Sequence, residues 1–256
     1  MIIICGLQKA PFSEQRICSA TISSLFLPVK LGHFRLPVIT CQTITRPKHH
    51  ILLFLNNRGI MSSTHPRKRI ILAITGATGA QIGIHILQAL RRLNVETHLV
   101  ISKWAAETIK LETDYTVATV RALADHSYSP YDLSAPIASG SYRVDGMIVA
   151  PCSVKTLAAI NAGICDDLIT RAADVCLKER KKLVLSVRET PLSEIHLRNM
   201  LEVTRAGAIV TPPVVGFYTR PATVEDVLNQ MCGRLLDLFD LDSGDFPRWE
   251  GLKKGE

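Results

Sequence analysis

From Arg69 onward the chain alternates short apolar runs with longer stretches whose apolar residues recur every three to four positions. RIILAIT (69–75), VETHLVIS (95–102), DGMIVAP (145–151), KLVLSVR (182–188) and AIVTP (208–212) are rich in Val, Ile and Leu. Such continuous apolar runs mark strands covered on both faces. Between them, AQIGIHILQALRRL (80–93), KWAAETIKLET (103–113), SVKTLAAINAG (153–163), DLITRAADVCLKER (167–180), SEIHLRNMLEVTRAG (193–207) and VEDVLNQMCGRLLDLFD (224–240) carry the helical period. The stretch 125–141 is polar and punctuated by Pro130, Pro136 and Gly140, so it reads as an irregular exposed loop. Strand–helix alternation without internal repeats predicts an α/β fold: a doubly wound parallel sheet, Rossmann/flavodoxin-like, in three layers.

Residues 1–66 break this pattern. They hold seven of the 30 basic residues (Lys9, Arg16, Lys30, Arg35, Arg46, Lys48 and Arg58) but one of the 23 acidic ones, Glu14, and no Asp. The formal charge of +7 therefore belongs mostly to this leader, and the body is close to neutral. A nucleic-acid footprint needs a basic face on the folded domain, and none is required here. The leader's Arg, Ser and Thr content with no sustained period reads as a mitochondrial transit peptide. The alternative is an upstream extension, with translation starting at Met61 and a cytoplasmic product. The domain proper is then 67–256. No run approaches the roughly 18 apolar residues of a membrane helix, so stable membrane insertion is not expected. Cys152, Cys165, Cys176 and Cys232 show no C-x-x-C spacing, which suggests neither a zinc site nor a disulfide framework.

In doubly wound sheets ligands bind outside the carboxyl ends of the strands, which makes those ends the candidate site. TGATGAQIG (75–83) spaces its glycines G-x-x-G-x-x-x-G, not as the dinucleotide fingerprint G-x-G-x-x-G. Its small residues and the Thr78 hydroxyl at a helix start suit an anion, although such turns are often plain connections. Ser102 ends the second strand. PCSVKT places Ser153, Lys155 and Thr156 at another helix start, where Ser153 also reads as an ordinary N-cap. VRETP delivers Arg188 and Glu189 together at a strand end; a surface ion pair is the plain alternative, but their place directly after a buried strand favours contact with a ligand. Tyr218 and Arg220 lie in a Pro/Gly loop, and Arg234 follows on the last helix, where a solvated arginine is the default. No Ser/His/Asp triad or Walker A lysine is apparent, and His85, His98, His126 and His196 lack metal-ligand spacing, His98 reading as a packing or surface residue.

Taken together, AITGATGA, LVISKWA, LETD, SGSYRVDGMIVAPCSVKTLAAI, LITRAADVCLKER, LVLSVRETPL, TPPVVGFYTRP and GRLLD resemble the UbiX/Pad flavin prenyltransferases, in one order from about Arg69 to Trp249. The leader resembles the fungal Pad branch. The resemblance implies metal-independent transfer of a dimethylallyl group from dimethylallyl monophosphate to N5 and C6 of reduced FMN. The prenylated FMN then serves a separate UbiD/Fdc-type decarboxylase. It implies FMN contacts at Gly76, Ala77, Thr78, Ser102, Ser153, Val154, Lys155, Thr156 and Arg188. Prenyl-phosphate contacts fall on Lys178, Tyr218, Arg234 and Trp249, with Arg171 matched beside them. Glu189 and Glu112 resemble acids that assist proton movement, with Thr78 close to the reacting groups; many bacterial relatives carry Ser at that position. A homo-oligomer, commonly a dodecamer, is implied, with its site where subunits meet. Two alternatives share the fold. A phosphopantothenoylcysteine decarboxylase-like flavoprotein would carry an Asn-bearing PASANT-like segment where this chain has PCSVKT. A non-catalytic regulatory flavoprotein subunit would carry a long acidic tail, unlike FPRWEGLKKGE.

Overall fold

The structure, a computed structural model, describes residues 67–251; the leader (1–66) and the last five residues lie outside it. Six strands follow in chain order: β1 (Arg69–Ile74), β2 (Glu96–Ile101), β3 (His126–Tyr128), β4 (Gly146–Cys152), β5 (Lys182–Val187) and β6 (Ile209–Val210). The helices are α1 (Ala80–Arg92), α2 (Lys103–Glu112), α3 (Val117–Arg121), α4 (Val154–Ala162), α5 (Leu168–Lys178), α6 (Glu194–Ala206) and α7 (Val224–Asp237).

All neighbouring strands pair in parallel, in the order β3-β2-β1-β4-β5-β6. This is the doubly wound order of two mononucleotide-binding halves, with the switch point between β1 and β4. Alternation along the strands sends their side chains into two cores. Ile70, Leu72, Ile74, Ile148 and Val184 pack with α1, α2 and α7, while Ile71, Ala73, Met147, Val149 and Leu185 pack with α4 and α5. Because β1, β4 and β5 are covered on both faces, they read as unbroken apolar runs rather than as alternating ones.

The expected loop over 125–141 is corrected by the structure: it contains β3 and a 3₁₀ turn at Pro136–Ala138. β3 escapes the pattern because it has three residues and no apolar alternation; its pairing with β2, His126 opposite His98, is a tertiary fact. α3, also outside the reading, is set by a capping box between Thr116 and Thr119. Gly83, the last glycine of TGATGAQIG, lies within α1. A Cβ there would lie 2.5 Å from the Ala150 carbonyl oxygen and 2.8 Å from Ile74, so α1 sits this close to β1 and β4 only without a side chain.

Candidate active site

At the switch point a cleft of about 750 Å³ opens between the ends of β1, β2, β4 and β5. That is within the range of small-molecule and cofactor sites. Ten of the expected residues line it: Gly76, Ala77 and Thr78 from the β1–α1 turn, Ser102 from the end of β2, Ser153 to Thr156 from the start of α4, and Arg188 with Glu189 after β5. Gly76 lets the turn approach α2, since a Cβ would fall 2.4 Å from the Cβ of Trp104. Ser102 Oγ accepts from the Ala105 amide at 3.1 Å, and Ser153 Oγ accepts from the Thr156 amide at 3.3 Å. Both serines therefore are N-caps, and both present helix N-termini to the cleft, where the aligned peptide dipoles favour an anion.

The cations of the cleft suit a phosphate-bearing ligand. Arg188, Lys155 and Lys103 line the cleft, and none of their side chains has an acidic or carbonyl partner among the described residues. Glu189 accepts only from the neighbouring Thr190 amide, at 3.0 Å, and so keeps carboxylate capacity toward the cleft.

Glu112 stands apart from this lining. Its Oε2 accepts from the Gly79 and Ala80 amides at 2.8 and 2.9 Å, capping α1 from outside. Burial pushes its carboxyl upward, but hydrogen bonds from the Thr78 side chain and those two amides, with the charge of Arg188, outweigh it and leave the carboxyl below the usual range. Glu112 is thus held ionised behind the turn, as an acceptor for Thr78.

Sequence reading missed the part played by Thr75, which is buried at the end of β1. It also missed Trp104, Tyr131 and Asp166, which complete the cleft rim. Only adjacency to SK, SPY and CDD could have pointed to these, and such dipeptides carry no motif.

Glu96, His98 and His126 bring three potential metal-ligand atoms within 4.8 Å of one another. The two imidazoles are stacked at 4.7 Å and 20°, so their lone pairs run side by side instead of converging. Glu96 is already taken by Arg69 at 2.8 Å, and His98, fully buried, is bonded through Nδ1 to the Tyr128 hydroxyl at 3.0 Å. This cluster is packing.

A family model described as Flavoprotein matches residues 59–236. The chain is 56% identical over 214 residues to the mitochondrial flavin prenyltransferase PAD1 of Saccharomyces cerevisiae, covering 83% of this chain and 88% of the yeast one. Among solved structures, AnUbiX (PadA1) in complex with FMN and dimethylallyl pyrophosphate matches with a TM-score of 0.72 and 66% identity, over 73% of this chain and all of that one. A dodecameric FMN-dependent UbiX-like decarboxylase from Escherichia coli O157:H7 matches with a TM-score of 0.69 and 56% identity, over 72% of this chain and 100% of its own. The chain belongs to the UbiX-like flavin prenyltransferase family.

For a member of this family, one copy of the chain holds half of the expected site. The residues that the resemblance assigns to the prenyl phosphate do not line the cleft in one copy. Lys178 ends α5 and pairs with Glu179, whereas the start of that helix, at Asp167, lines the cleft. Eleven residues of helix separate the two by about 15 Å. Arg171 is spent internally, its Nε on the Ala138 carbonyl at 3.1 Å and its Nη1 on Asp174 at 2.7 Å. Tyr218 and Trp249 pair with each other near α7, the helix that carries Arg234. Tyr218 meets Trp249 edge-on with ring centres 5.9 Å apart, and Gln230, one turn before Arg234, reaches the Tyr218 hydroxyl at 3.4 Å. Trp249, Phe217 and Val214 are largely exposed.

Proposed function

We propose that this protein is a flavin prenyltransferase that joins a dimethylallyl group from dimethylallyl monophosphate to N5 and C6 of reduced FMN. The observation that carries the reading is the switch-point cleft, where partner-free Arg188 and Lys155 flank two helix N-termini and Glu189 stands beside them. When bound, reduced FMN supplies the nucleophilic nitrogen and carbon. The turn at Gly76, Ala77 and Thr78, with Ser102 and the run Ser153, Val154, Lys155 and Thr156, binds the flavin and its phosphate. Arg188 lies where it can hold phosphate oxygen as the allylic C–O bond breaks, stabilising the charge that grows on the leaving group. Glu189 accepts the proton released on ring closure. Thr78, beside the ionised Glu112, presents its hydroxyl to the reacting groups. No step calls for a metal.

The second half of the site comes from other copies. Assembly that brings Lys178, Tyr218, Arg234 and Trp249 of neighbouring subunits to the cleft supplies the donor phosphate with cations and the allyl group with an aromatic face. The separation of these residues from the cleft in one copy supports this, as does the dodecameric state of the Escherichia coli relative. The product then passes to a UbiD/Fdc-type decarboxylase. Residues 1–66 act as a mitochondrial leader, a reading supported by their composition and by the mitochondrial naming of the yeast relative.

The test is direct. Purified protein, reduced FMN and dimethylallyl monophosphate are mixed anaerobically, and the flavin is analysed by mass spectrometry and by its power to activate a separate apo-decarboxylase. Flavin whose mass gains one C5 unit supports the proposal; flavin recovered unmodified overturns it.

A further inference from the structure

Tyr218, Arg234 and Trp249 come from a 3₁₀ turn, a helix and the C-terminal segment, so a shared role in one site needs contacts that link those segments. The carboxylate of Asp237, the last residue of α7, links two of them through Arg234 and through Arg248, the neighbour of Trp249. It accepts from Arg234 Nη1 at 2.9 Å, one turn back. It also takes Arg248 in a bidentate pair, Nη1 on Oδ2 at 3.0 Å and Nη2 on Oδ1 at 2.7 Å. Arg248 reaches Asp242 as well, at 2.8 Å, and its guanidinium lies 5.1 Å from the centre of the Phe246 ring. Phe246 in turn packs on α7 at Gly233, where a Cβ would be 2.1 Å from the ring. The C-terminal segment is thereby folded back on α7, and Trp249, the next residue after Arg248, is set edge-on to Tyr218.

The burial of the three charges differs in a telling way. The Asp237 side chain is 18% exposed, against 45% for Arg248 and 58% for Arg234. The carboxylate is the sheltered centre and the guanidinium groups are its outward arms. A planar guanidinium held by two parallel hydrogen bonds is fixed in orientation as well as position, which a lysine cannot reproduce. Arg234 uses one N–H group on Asp237 and leaves the others without a protein acceptor among the described residues.

We propose that Asp237 and Arg248 form a clamp that positions the prenyl-phosphate half of the site: Asp237 orients Arg234, and Arg248, closing on the same carboxylate, holds Trp249 against Tyr218. Neither touches the reacting atoms; both are positioning residues. The proposal rests on the reading of Tyr218, Arg234 and Trp249 as donor contacts, and its test separates the two.

Three variants of the full chain decide it: Asp237→Asn, which keeps the shape and removes the charge; Arg248→Lys, which keeps the charge and loses the fork; and Arg234→Ala, which tests the underlying reading. With the clamp, Asp237→Asn and Arg248→Lys each raise KM for dimethylallyl monophosphate roughly tenfold or more, while FMN affinity stays within about twofold of wild type. The double variant is no worse than the poorer single one, because both changes open the same contact. In a Trp104→Phe background Trp249 is the sole tryptophan, and its acrylamide quenching increases in both variants. Unchanged KM and quenching in both, with KM raised in Arg234→Ala, overturn the clamp and leave the donor reading standing. Unchanged KM in Arg234→Ala overturns that reading and the clamp with it. FMN affinity and KM worsening together in Arg248→Lys also overturn the clamp, because the lesion is then one of general folding.

Discussion

The Thr75 hydroxyl donates to the Pro151 carbonyl at 2.7 Å, across the switch point between β1 and β4. The same oxygen accepts from the Ser153 amide at 2.8 Å, and the Thr75 amide also reaches the Pro151 carbonyl, at 3.2 Å. One buried side chain thus ties the turn bearing Thr78 to the turn bearing Ser153. Thr75→Val keeps the shape, strands the Ser153 amide and leaves the Pro151 carbonyl with the Thr75 amide alone, at a cost of about 1–3 kcal/mol. We expect lower stability in chemical denaturation together with weaker FMN binding in a fluorescence titration, and recovery of both in Thr75→Ser. FMN affinity unaltered in the valine variant would show that the tie does not set the cleft.

Among the described residues the Arg188 guanidinium has no hydrogen-bond or ion-pair partner, so its removal strands no described group. Arg188→Ala is expected to keep the wild-type melting temperature while FMN affinity falls roughly tenfold to a hundredfold, the value of a charge-assisted hydrogen bond. Calorimetric titration beside thermal melting makes the comparison. A fall in melting temperature without loss of affinity would assign Arg188 to the fold.

Glu112 makes acid stability a readout of the Thr78 turn. Its folded carboxyl lies below the ordinary range, despite burial, because Thr78, Ala80 and Gly79 donate to it. A lowered carboxyl contributes stability that is full above the unfolded value, about 4.3, and fades as pH falls through the lower folded one. The gap in melting temperature between wild type and Glu112→Gln should therefore be level from about pH 5 to 7 and narrow in more acid solution. A gap independent of pH down to about 3 would contradict this.

Gly83→Ala tests the seat of α1. The added methyl meets the backbone oxygen of Ala150 as well as Ile74, neither the free end of a flexible chain. Overpacking of this kind costs about 1–3 kcal/mol, or a drop of several degrees in melting temperature for a domain of this size. An unchanged melting curve would mean that α1 is less closely seated than the structure has it.

Periodicity carried the fold far. Val, Ile and Leu runs at β1, β2, β4 and β5 are legible because strands buried on both faces admit little else. The helices are legible because their apolar stripes must face that sheet. β3 and α3 were not legible: three residues of edge strand have no period, and α3 is marked only by its cap. At the cleft, Gly76 to Thr78, Ser102, Ser153 to Thr156 and Arg188 could be read because topology forces strand ends together, and a strand end can be counted from the sequence.

What the sequence determined by itself was the layer order, the motif resemblance and the residues at the strand ends, all of which depend on local chemistry and chain order. Tertiary structure alone decided which of those residues share a cleft. It put Thr75 across from Pro151, turned Glu112 into an ionised cap behind Thr78, and kept Lys178 at the far end of α5 from the cleft. It also joined Arg234 and Arg248 on Asp237, a carboxylate that no motif singles out, and set Trp249 edge-on to Tyr218. The physical reason is the same in each case: hydrogen bonds and ion pairs between residues distant in the chain depend on angles and separations that only the packed layers set.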